Sequence, residues 1–355
     1  MSVIPPIWLK SVAQRVESRL SEFLQHEQDR WSALDSDLGA PIGELTRLVK
    51  AGGKRLRPAF CHLGFIGAGG DETSIELLNA QAALELLHAS ALLHDDIIDG
   101  STTRRGEPTA HTRYLAKHAD NKWAGEGRRF GEGAAILIGD LAFVYADQLM
   151  TGVNAPTIKI WNEMRIELNI GQYLDLLGSA QRERNLTKAE RVSRYKSGKY
   201  TIERPLHLGA TMAAPDRADV LLEELSAFGL PLGDAFQMRD DVLGVFGDEA
   251  TNNTGKPIGD DIREGKPTPL LAMAYKRAST SQRQVLEDVG APQISNEDIS
   301  KIQEVIIETG ALSELETKIS GLVSESIAAI TNSSLSKQSV KQLVELAEFV
   351  AQRRN

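Results

Sequence analysis

The residues with the clearest chemical potential are His94-Asp95-Asp96-Ile97-Ile98-Asp99, which close a long apolar segment. On a helix Asp95 and Asp99 share a face at i and i+4, and Asp96 lies about 100° round. Like carboxylates at this spacing repel and destabilise a helix. A hard cation offsets the repulsion, and Mg²⁺ takes such oxygen ligands, usually one or two carboxylates completed by phosphate oxygens and water. The plainer reading is a solvated acidic helix end, which the apolar turns before Asp95 disfavour. A second pair, Asp240-Asp241, follows Phe236-Gln237-Met238-Arg239 at the end of another apolar stretch, Ala227 to Leu243. One Asp-Asp pair is a weak signal; two in the same context suggest a multi-metal site.

Cations accompany the acids. Gly52-Gly53-Lys54-Arg55-Leu56-Arg57-Pro58 places its basic residues just ahead of a predicted helix. Glycine-freed N–H groups and a helix N-terminus suit a phosphate there. Arg104-Arg105-Gly106 follows the first acidic motif, and Lys196-Ser197-Gly198-Lys199, Lys256 and Lys266 add more. Any one of these alone reads equally well as a surface cation. Beside acidic metal ligands they fit a diphosphate, which is polyanionic, chelates Mg²⁺ and accepts bidentate arginine.

Helices must position these groups. From Thr73 to Ile98 the apolar residues Leu77, Leu78, Ala82, Leu84, Leu86, Leu87, Ala91, Leu92 and Leu93 recur at three- and four-residue steps. A helix apolar on most sides is a buried one. Similar spacing predicts helices near residues 8–31, 134–151, 157–178, 217–243, 267–279, 297–309, 311–331 and 335–352. Strand alternation is nearly absent, so the expected fold class is all-α. Glycine-rich stretches at 51–58, 99–133 and 247–267 read as loops, with a short helix near 110–119. No composition shift marks a boundary, so residues 1–355 are expected to form a single domain. Its motif-bearing part spans about 52–271, and the helices of 281–355 join the same bundle.

Composition narrows the class. Of the 355 residues 41% are hydrophobic and 25% charged, which excludes a disordered, collagen-like or disulfide-stapled chain. The formal charge of −9 argues against bulk nucleic-acid binding. Cys61, the one cysteine, cannot form an internal disulfide and is expected as a small buried hydrophobe in a reducing compartment. No basic-then-apolar leader is visible, and no run approaches the ~18 apolar residues of a spanning helix. A cytoplasmic protein without an integral membrane segment is the expectation.

In combination the motifs resemble the trans-isoprenyl diphosphate synthases, the all-α prenyltransferases of the polyprenyl synthetase family, and within them most nearly the geranylgeranyl diphosphate synthases. The likeness runs from about Gly52 to Leu271 in family order. It covers Gly-Gly-Lys-x-x-Arg-Pro, Asp-Asp-x-x-Asp followed by Arg-Arg-Gly-x-Pro-Thr-x-His, Gly171-Gln172, Lys196-Ser197, Phe236-Gln237-x-x-Asp-Asp and the Gly-Lys loop. The resemblance implies a helical bundle around one deep central cavity, and a homodimer. By resemblance, Asp95 and Asp99, supported by Asp96, hold Mg²⁺ against an allylic diphosphate. Asp240, and secondarily Asp241, hold a further Mg²⁺ from the opposite wall, giving about three ions per site. Lys54, Arg57, His88 and Arg105 bind isopentenyl diphosphate. Arg104, Lys196, Ser197, Gln237, Lys256 and Lys266 contact the allylic diphosphate or close over it, Lys196, Ser197 and Gln237 being the catalytic set. His88 alone would read as a core histidine, but two turns before Asp95 it reaches the same cavity. The 247–267 loop would serve as a lid that excludes water.

Two departures stand out. Gly244 occupies the place where the common family pattern has a third aspartate, and the next acid is Asp248. The segment between His111 and Ala134 carries Arg113, Lys117, Lys122, Arg128 and Arg129. It reads as a solvated insertion or as a contact with a partner subunit.

Product length is argued from the helix that leads to Asp95. In the family this sequence resembles, bulky aromatics at the places of Ser90 and Ala91 stop growth at fifteen carbons; both residues are small here, so the resemblance implies a lower floor. Leu87 lies about 12 Å and Leu84 about 16–17 Å below Asp95 at ~1.5 Å per residue. With roughly 4–5 Å per isoprene unit from bond lengths of ~1.5 Å, the pocket suits three to four units. The expected product is geranylgeranyl diphosphate, C20, with farnesyl or longer-chain products as the alternative. Less favoured are a terpene cyclase and a non-catalytic partner subunit. A cyclase commonly carries an Asn-Ser/Thr-Glu second site and lacks the Gly-Gly-Lys-Arg turn. A silent subunit tends to lose its acidic motifs.

Overall fold

The structure, a computed structural model, describes residues 5–247, 259–291 and 293–352. The described residues are helical almost throughout, as expected for an all-α chain. Among them no helix is long and apolar enough to cross a membrane. They divide into two compact units, where the sequence shows no boundary.

One unit comprises Pro6–His62 and Gly70–Asn154. It holds α1 (Ile7–Ser32), α2 (Ala40–Lys50), the start of α3 (Leu56–Gly67), α4 (Ile75–Ile98), a two-stranded hairpin of β1 (Thr103–Arg104) and β2 (Glu107–Pro108), α5 (Ala110–Asp120) and α6 (Gly127–Leu149). Val16, Leu20 and Leu24 of α1, Leu45 of α2, Phe60 of α3 and Leu77, Leu84 and Leu87 of α4 build its core. Helix α4 begins at Ser74, whose hydroxyl accepts the Leu77 N–H at 3.2 Å. It ends in a Schellman turn: Ser101 N–H reaches Asp96 O at 2.9 Å, Gly100 N–H reaches Ile97 O at 3.2 Å, and Gly100 takes φ +67°. That turn fixes Asp95, Asp96 and Asp99 in the last turn of an apolar helix.

The expectation of a long loop over 99–133 is corrected here. Helix α6 starts at Gly127, and with α5 it makes a packed helical pair. A side chain at Gly131 would overlap the His111 carbonyl, so the glycine that suggested a loop is a close-packing residue. Trp123 and Phe130 meet edge to face at 5.1 Å, and His118 lies 5.5 Å from Phe130. Residues 112–133 are therefore a built helical element rather than a loop, with most of their side chains still exposed.

The other unit comprises Leu63–Gly69 and the chain from Ala155 on. It holds α7 (Ala155–Ala180), α8 (Leu186–Ser193), a wide-turned segment over Arg194–Glu203, α9 (Arg204–Ala213), α10 (Ala218–Phe246) and α11 (Asp260–Arg263). After these come α12 (Pro269–Arg277), α13 (Thr280–Leu286), α14 (Asn296–Glu308), α15 (Ala311–Thr331) and α16 (Lys337–Gln352). Leu221, Leu225, Phe228 and Leu232 of α10, Leu315 and Ile319 of α15, and Leu343 and Leu346 of α16 are all buried, and α10 packs on both α15 and α16. Arg239 ties these helices together: its guanidinium forks onto Glu316 with two contacts of 2.6 Å, and its Nε donates to Ala351 O at 3.1 Å.

The segment 194–203 winds as a π-helix, its end marked by Arg204 N–H bonding to Lys199 O five residues back. Such turns are rare and concentrate at functional sites. Here close approach supports the winding. A Cβ on Gly198 would stand 2.9 Å from the Gly233 carbonyl carbon, and one on Gly233 would stand 2.8 Å from Gly198 Cα. A buried ionic cluster clamps the segment. Glu167 of α7 takes both arms of Arg204 at 2.7 Å and Lys199 at 2.6 Å, and Ser226 of α10 donates to Glu203 at 2.7 Å. Sequence periodicity does not predict helices over 40–50 or 186–213; the second combines buried Ile202, Leu206, Leu208 and Ala210 with the ionic cluster, which interrupts the apolar repeat.

Candidate active site

In the first unit the acids lie at the C-terminal end of α4, where the helix dipole already disfavours negative charge. Asp96 is buried, and Asp95 and Asp99 are half-buried. Arg104, delivered by β1, holds Asp96 with Nη2 at 2.6 Å and Nε at 2.8 Å and reaches Asp95 Oδ2 at 3.7 Å. Burial alone would lower its pKa; the Asp96, Asp95 and Asp99 carboxylates outweigh burial and raise it. The expected diphosphate ligand Arg104 is thus an internal counter-charge for the acids.

A second focus in this unit is His88, two turns before Asp95. Its imidazole is pushed well below the ordinary histidine range, first by burial and then by the positive fields of Arg57, Arg105, Arg104 and Arg55. The expected isopentenyl diphosphate residues His88, Arg57 and Arg105 are therefore neighbours around one neutral ring. Arg105, at φ +54°, donates to the Gly52 carbonyl and thereby docks the hairpin on the glycine turn. Lys54 sits half-buried in that turn. Arg55 is the structural member: it pairs with Glu85, reaches Glu17 at 3.3 Å and donates to Val49 O at 2.7 Å. Glu85 and Glu17 balance Arg55, and Asp96 balances Arg104, so the cations around this ring are partly neutralised from within the unit.

Along α4, Ser90, Leu87 and Leu84 are closed off by packing, with at most 2% of each exposed, whereas Ala91 remains partly open. Of the four residues expected to set product length, Ala91 alone retains an open side.

In the second unit Asp241 is buried near the end of α10, and Asp240 is half-buried. Gln237 Nε2 donates to Asp241 Oδ1 at 2.9 Å; Asp241 Oδ2 is buried without a hydrogen-bond partner. Burial, then repulsion from Asp261, raises the Asp241 carboxyl well above its ordinary range. Lys266 lies 2.9 Å from Glu264 and 3.9 Å from Asp261. Lys196 pairs with Asp175 of α7 at 2.6 Å, and Ser197 is half-buried beside it. A Cβ on Gly171 would overlap the Lys196 backbone N, so Gly171 and Asp175, one turn apart, dock that lysine on α7. Three residues past Asp175, a Cβ on Gly178 would stand 2.8 Å from Pro267 Cγ, so this end of α7 adjoins the lysine loop. Lys256 and Asp248 lie outside the described residues, as does most of the expected lid at 247–267. Asp175 and Asp261 were not singled out in the sequence; Asp175, four residues after Gly171, was the more legible of the two.

The donor set is all hard oxygen, and an orphaned buried carboxylate oxygen stands within it. These residues fit Mg²⁺. Among the described residues no three of His, Cys, Asp or Glu converge into a ready cage. Mg²⁺ needs none, since it keeps waters and substrate phosphates in its shell.

Comparison with known proteins agrees with this chemistry. Residues 43–308 match the family model for polyprenyl synthetase. The geranylgeranyl diphosphate synthase of Saccharolobus solfataricus is 33% identical over 318 residues, 86% of this chain and 88% of the relative. The geranylfarnesyl diphosphate synthase of Aeropyrum pernix is 33% identical over 286 residues, covering 78% of this chain and 82% of the relative. The crystal structure of a Corynebacterium glutamicum geranylgeranyl pyrophosphate synthase, complexed with isoprenyl diphosphate and magnesium, superposes with a TM-score of 0.91. It is 38% identical and covers 97% of this chain and 99% of its own. Sequence motifs, helical fold and relatives converge on one assignment: the chain belongs to the polyprenyl synthetase family and is a trans-isoprenyl diphosphate synthase, a prenyltransferase.

Proposed function

We propose that the chain condenses isopentenyl diphosphate with an allylic diphosphate, in the presence of Mg²⁺, to give chiefly geranylgeranyl diphosphate. The observation that carries this reading is the pair of carboxylate sets at the C-terminal ends of two apolar helices, each with cations of its own unit beside it. Asp95 and Asp99 would hold Mg²⁺ on the allylic diphosphate, and Asp240 and Asp241 a further ion, about three ions in all. When bound, Mg²⁺ neutralises the diphosphate and makes it a better leaving group. Arg104 fixes Asp96 and shares its charge with Asp95. Lys196, Lys266, Lys256 and Gln237 stabilise charge that develops on the departing diphosphate, the kind of preorganised stabilisation that dominates catalysis. Lys54, Arg57, Arg105 and neutral His88 orient isopentenyl diphosphate so that its double bond attacks the allylic carbon. The proton is then lost to the released pyrophosphate, so no protein nucleophile is required. Apolar walls exclude the water that would trap the cation.

C20 is supported by the small Ser90 and Ala91 and by the relatives named geranylgeranyl diphosphate synthases. The geranylfarnesyl relative favours a second reading, a longer product. The enzyme is proposed to work in the cytoplasm as a homodimer. The exposed Leu137 and Val144, seven residues apart on α6, support a copy-to-copy face. The experiment is turnover of the purified chain with Mg²⁺, labelled isopentenyl diphosphate and C5, C10 or C15 starters, with sedimentation of the same sample. A dominant C20 product from a dimer is expected. A dominant C15 or C30-plus product would reject the length, and no turnover with any starter would reject the activity.

A further inference from the structure

We infer that Glu167 is a positioning residue for the transfer reaction: by holding the π winding of 194–203 it sets the direction in which Lys196 is presented. The inference rests on the proposed contact of Lys196 with the allylic diphosphate and says how the fold aims that lysine. A π-turn bonds each N–H to the fifth residue back, an α-turn to the fourth. Rewinding 194–203 as α-helix would turn Lys196 round the axis relative to Arg204 by on the order of 100°. The winding therefore decides where the lysine points. Because π-turns are rare against α-turns, contacts from outside the segment must hold them.

Glu167 is built to do this. Its Oε1 accepts Lys199 Nζ at 2.6 Å and Arg204 Nη2 at 2.7 Å, and its Oε2 accepts Arg204 Nε at 2.7 Å. Lys199 and Arg204 are the two residues joined by the π-type bond, Arg204 N–H to Lys199 O. Residues five apart diverge by about 140° on an α-helix, so one carboxylate gripping both favours the wider winding. Glu167 is 6% exposed. Burial alone would raise its carboxyl; the bonds from Arg204 and Lys199 outweigh burial and hold it below its ordinary range. On α7, Glu167, Gly171 and Asp175 recur at four-residue steps on one face. A Cβ on Gly171 would stand 2.3 Å from Lys196 N, and Asp175 takes Lys196 Nζ at 2.6 Å. From the other side, a Cβ on Gly229 of α10 would stand 2.9 Å from Glu203 Cα, and Gly233 closes on Gly198. These glycines let backbone meet backbone but carry no side chain that fixes rotation. Glu167 supplies that restraint about 12 Å along α7 from Asp175, so it acts through the segment and not on substrate.

Steady-state kinetics of the full chain with Mg²⁺ test this, with folding checked by circular dichroism. Glu167→Gln keeps the shape and removes the charge that grips both cations. It is expected to lower kcat/KM for the allylic diphosphate about 10²-fold, the scale of an ångström-sized misplacement. KM for isopentenyl diphosphate should stay within about twofold of wild type. Glu167→Asp should recover part of the loss. Lys199→Met, which leaves the Arg204 fork in place, should act in the same direction by about tenfold, and it carries the test if Glu167→Gln does not fold. Lys196→Ala, alone and combined with Glu167→Gln, closes a double-mutant cycle. A merely structural role costs the same with or without Lys196. A positioning role shrinks from about 10²-fold to about tenfold or less once Lys196 is gone. Wild-type allylic kinetics in folded Glu167→Gln overturn the inference, and so does a full loss that persists in the Lys196→Ala background. If Lys196→Ala itself leaves the allylic kinetics unchanged, the reading of Lys196 as a diphosphate ligand fails. If Lys196→Ala is impaired and Glu167→Gln is not, only the role of Glu167 falls.

Discussion

Arg104 commits two of its nitrogens to Asp96, at 2.6 and 2.8 Å, while Nη2 stands 3.7 Å from Asp95. The three acids at the end of α4 are therefore not equivalent. Asp96 takes the closest contacts of Arg104, and Asp95 and Asp99 lie one turn apart on the same face. The first prediction concerns this clamp. Both side chains of the pair are nearly buried, so removing one leaves a buried charge behind. Arg104→Ala is expected to cost about 3–5 kcal/mol in urea unfolding. Arg104→Lys should recover part of the loss, because it keeps the charge but not the Nε–H that donates to Asp96 Oδ1. A loss below about 1 kcal/mol would mean that solvent screens the pair.

The second prediction separates ligand from support. Asp95→Ala and Asp240→Ala should each lower steady-state turnover by roughly 10²-fold or more, the scale seen when one preorganised electrostatic group is removed. Labelled isopentenyl diphosphate incorporation reads this directly. Rates within tenfold of wild type in both variants would remove the metal assignment.

The helices and the acids were legible in the sequence because their signals are local. Leu77 to Leu93 repeats at helical steps, and Asp95 and Asp99 share a face by spacing alone. What the sequence hid depends on tertiary contact. Gly131 reads as a loop residue until the His111 carbonyl is seen against it. Helix α9 and the π-turns before it are held by buried Ile202, Leu206 and Leu208 together with Glu167, Arg204, Lys199 and Ser226, an ionic cluster that interrupts the apolar repeat. Arg104 read as a diphosphate ligand because its partner Asp96 is fixed only when the hairpin folds back. Asp261 lies twenty residues beyond Asp241, and only the return of that segment onto α10 places them together.

A third prediction follows from two buried histidines. Burial, then the Arg15 charge, lowers His62 to about 4; burial, then Arg204, lowers His207 to about 3. Both stay neutral in the folded chain at pH values where the unfolded chain, near 6.5, takes up protons. The folded state then binds fewer protons, so stability is full above pH 6.5 and falls as pH drops toward 4 and 3. The expected slope is about 1.4 kcal/mol per pH unit for each histidine. Urea unfolding from pH 7.5 to 4.5 should show it, and His62→Gln with His207→Gln should flatten it. An unaltered slope in the double variant would assign the acid sensitivity to other groups.

The last prediction uses the contrast between Ala91 and its neighbour. Ala91 lies one turn before Asp95 and keeps an open side; Ser90 is only 2% exposed. Ala91 is not closed off, so a phenylalanine there meets less packed core than one at Ser90. Ala91→Phe is therefore expected to shift the dominant product toward fifteen carbons while the protein stays as stable as wild type. At Ser90 the same ring has nowhere to go, and overpacking should cost about 1–3 kcal/mol. Product chromatography and thermal unfolding on the two variants decide between the outcomes. If Ala91→Phe leaves the chain length unchanged, the growing hydrocarbon does not run along this face of α4. If Ser90→Phe shortens the product without loss of stability, the wall lies one position away from where the packing puts it.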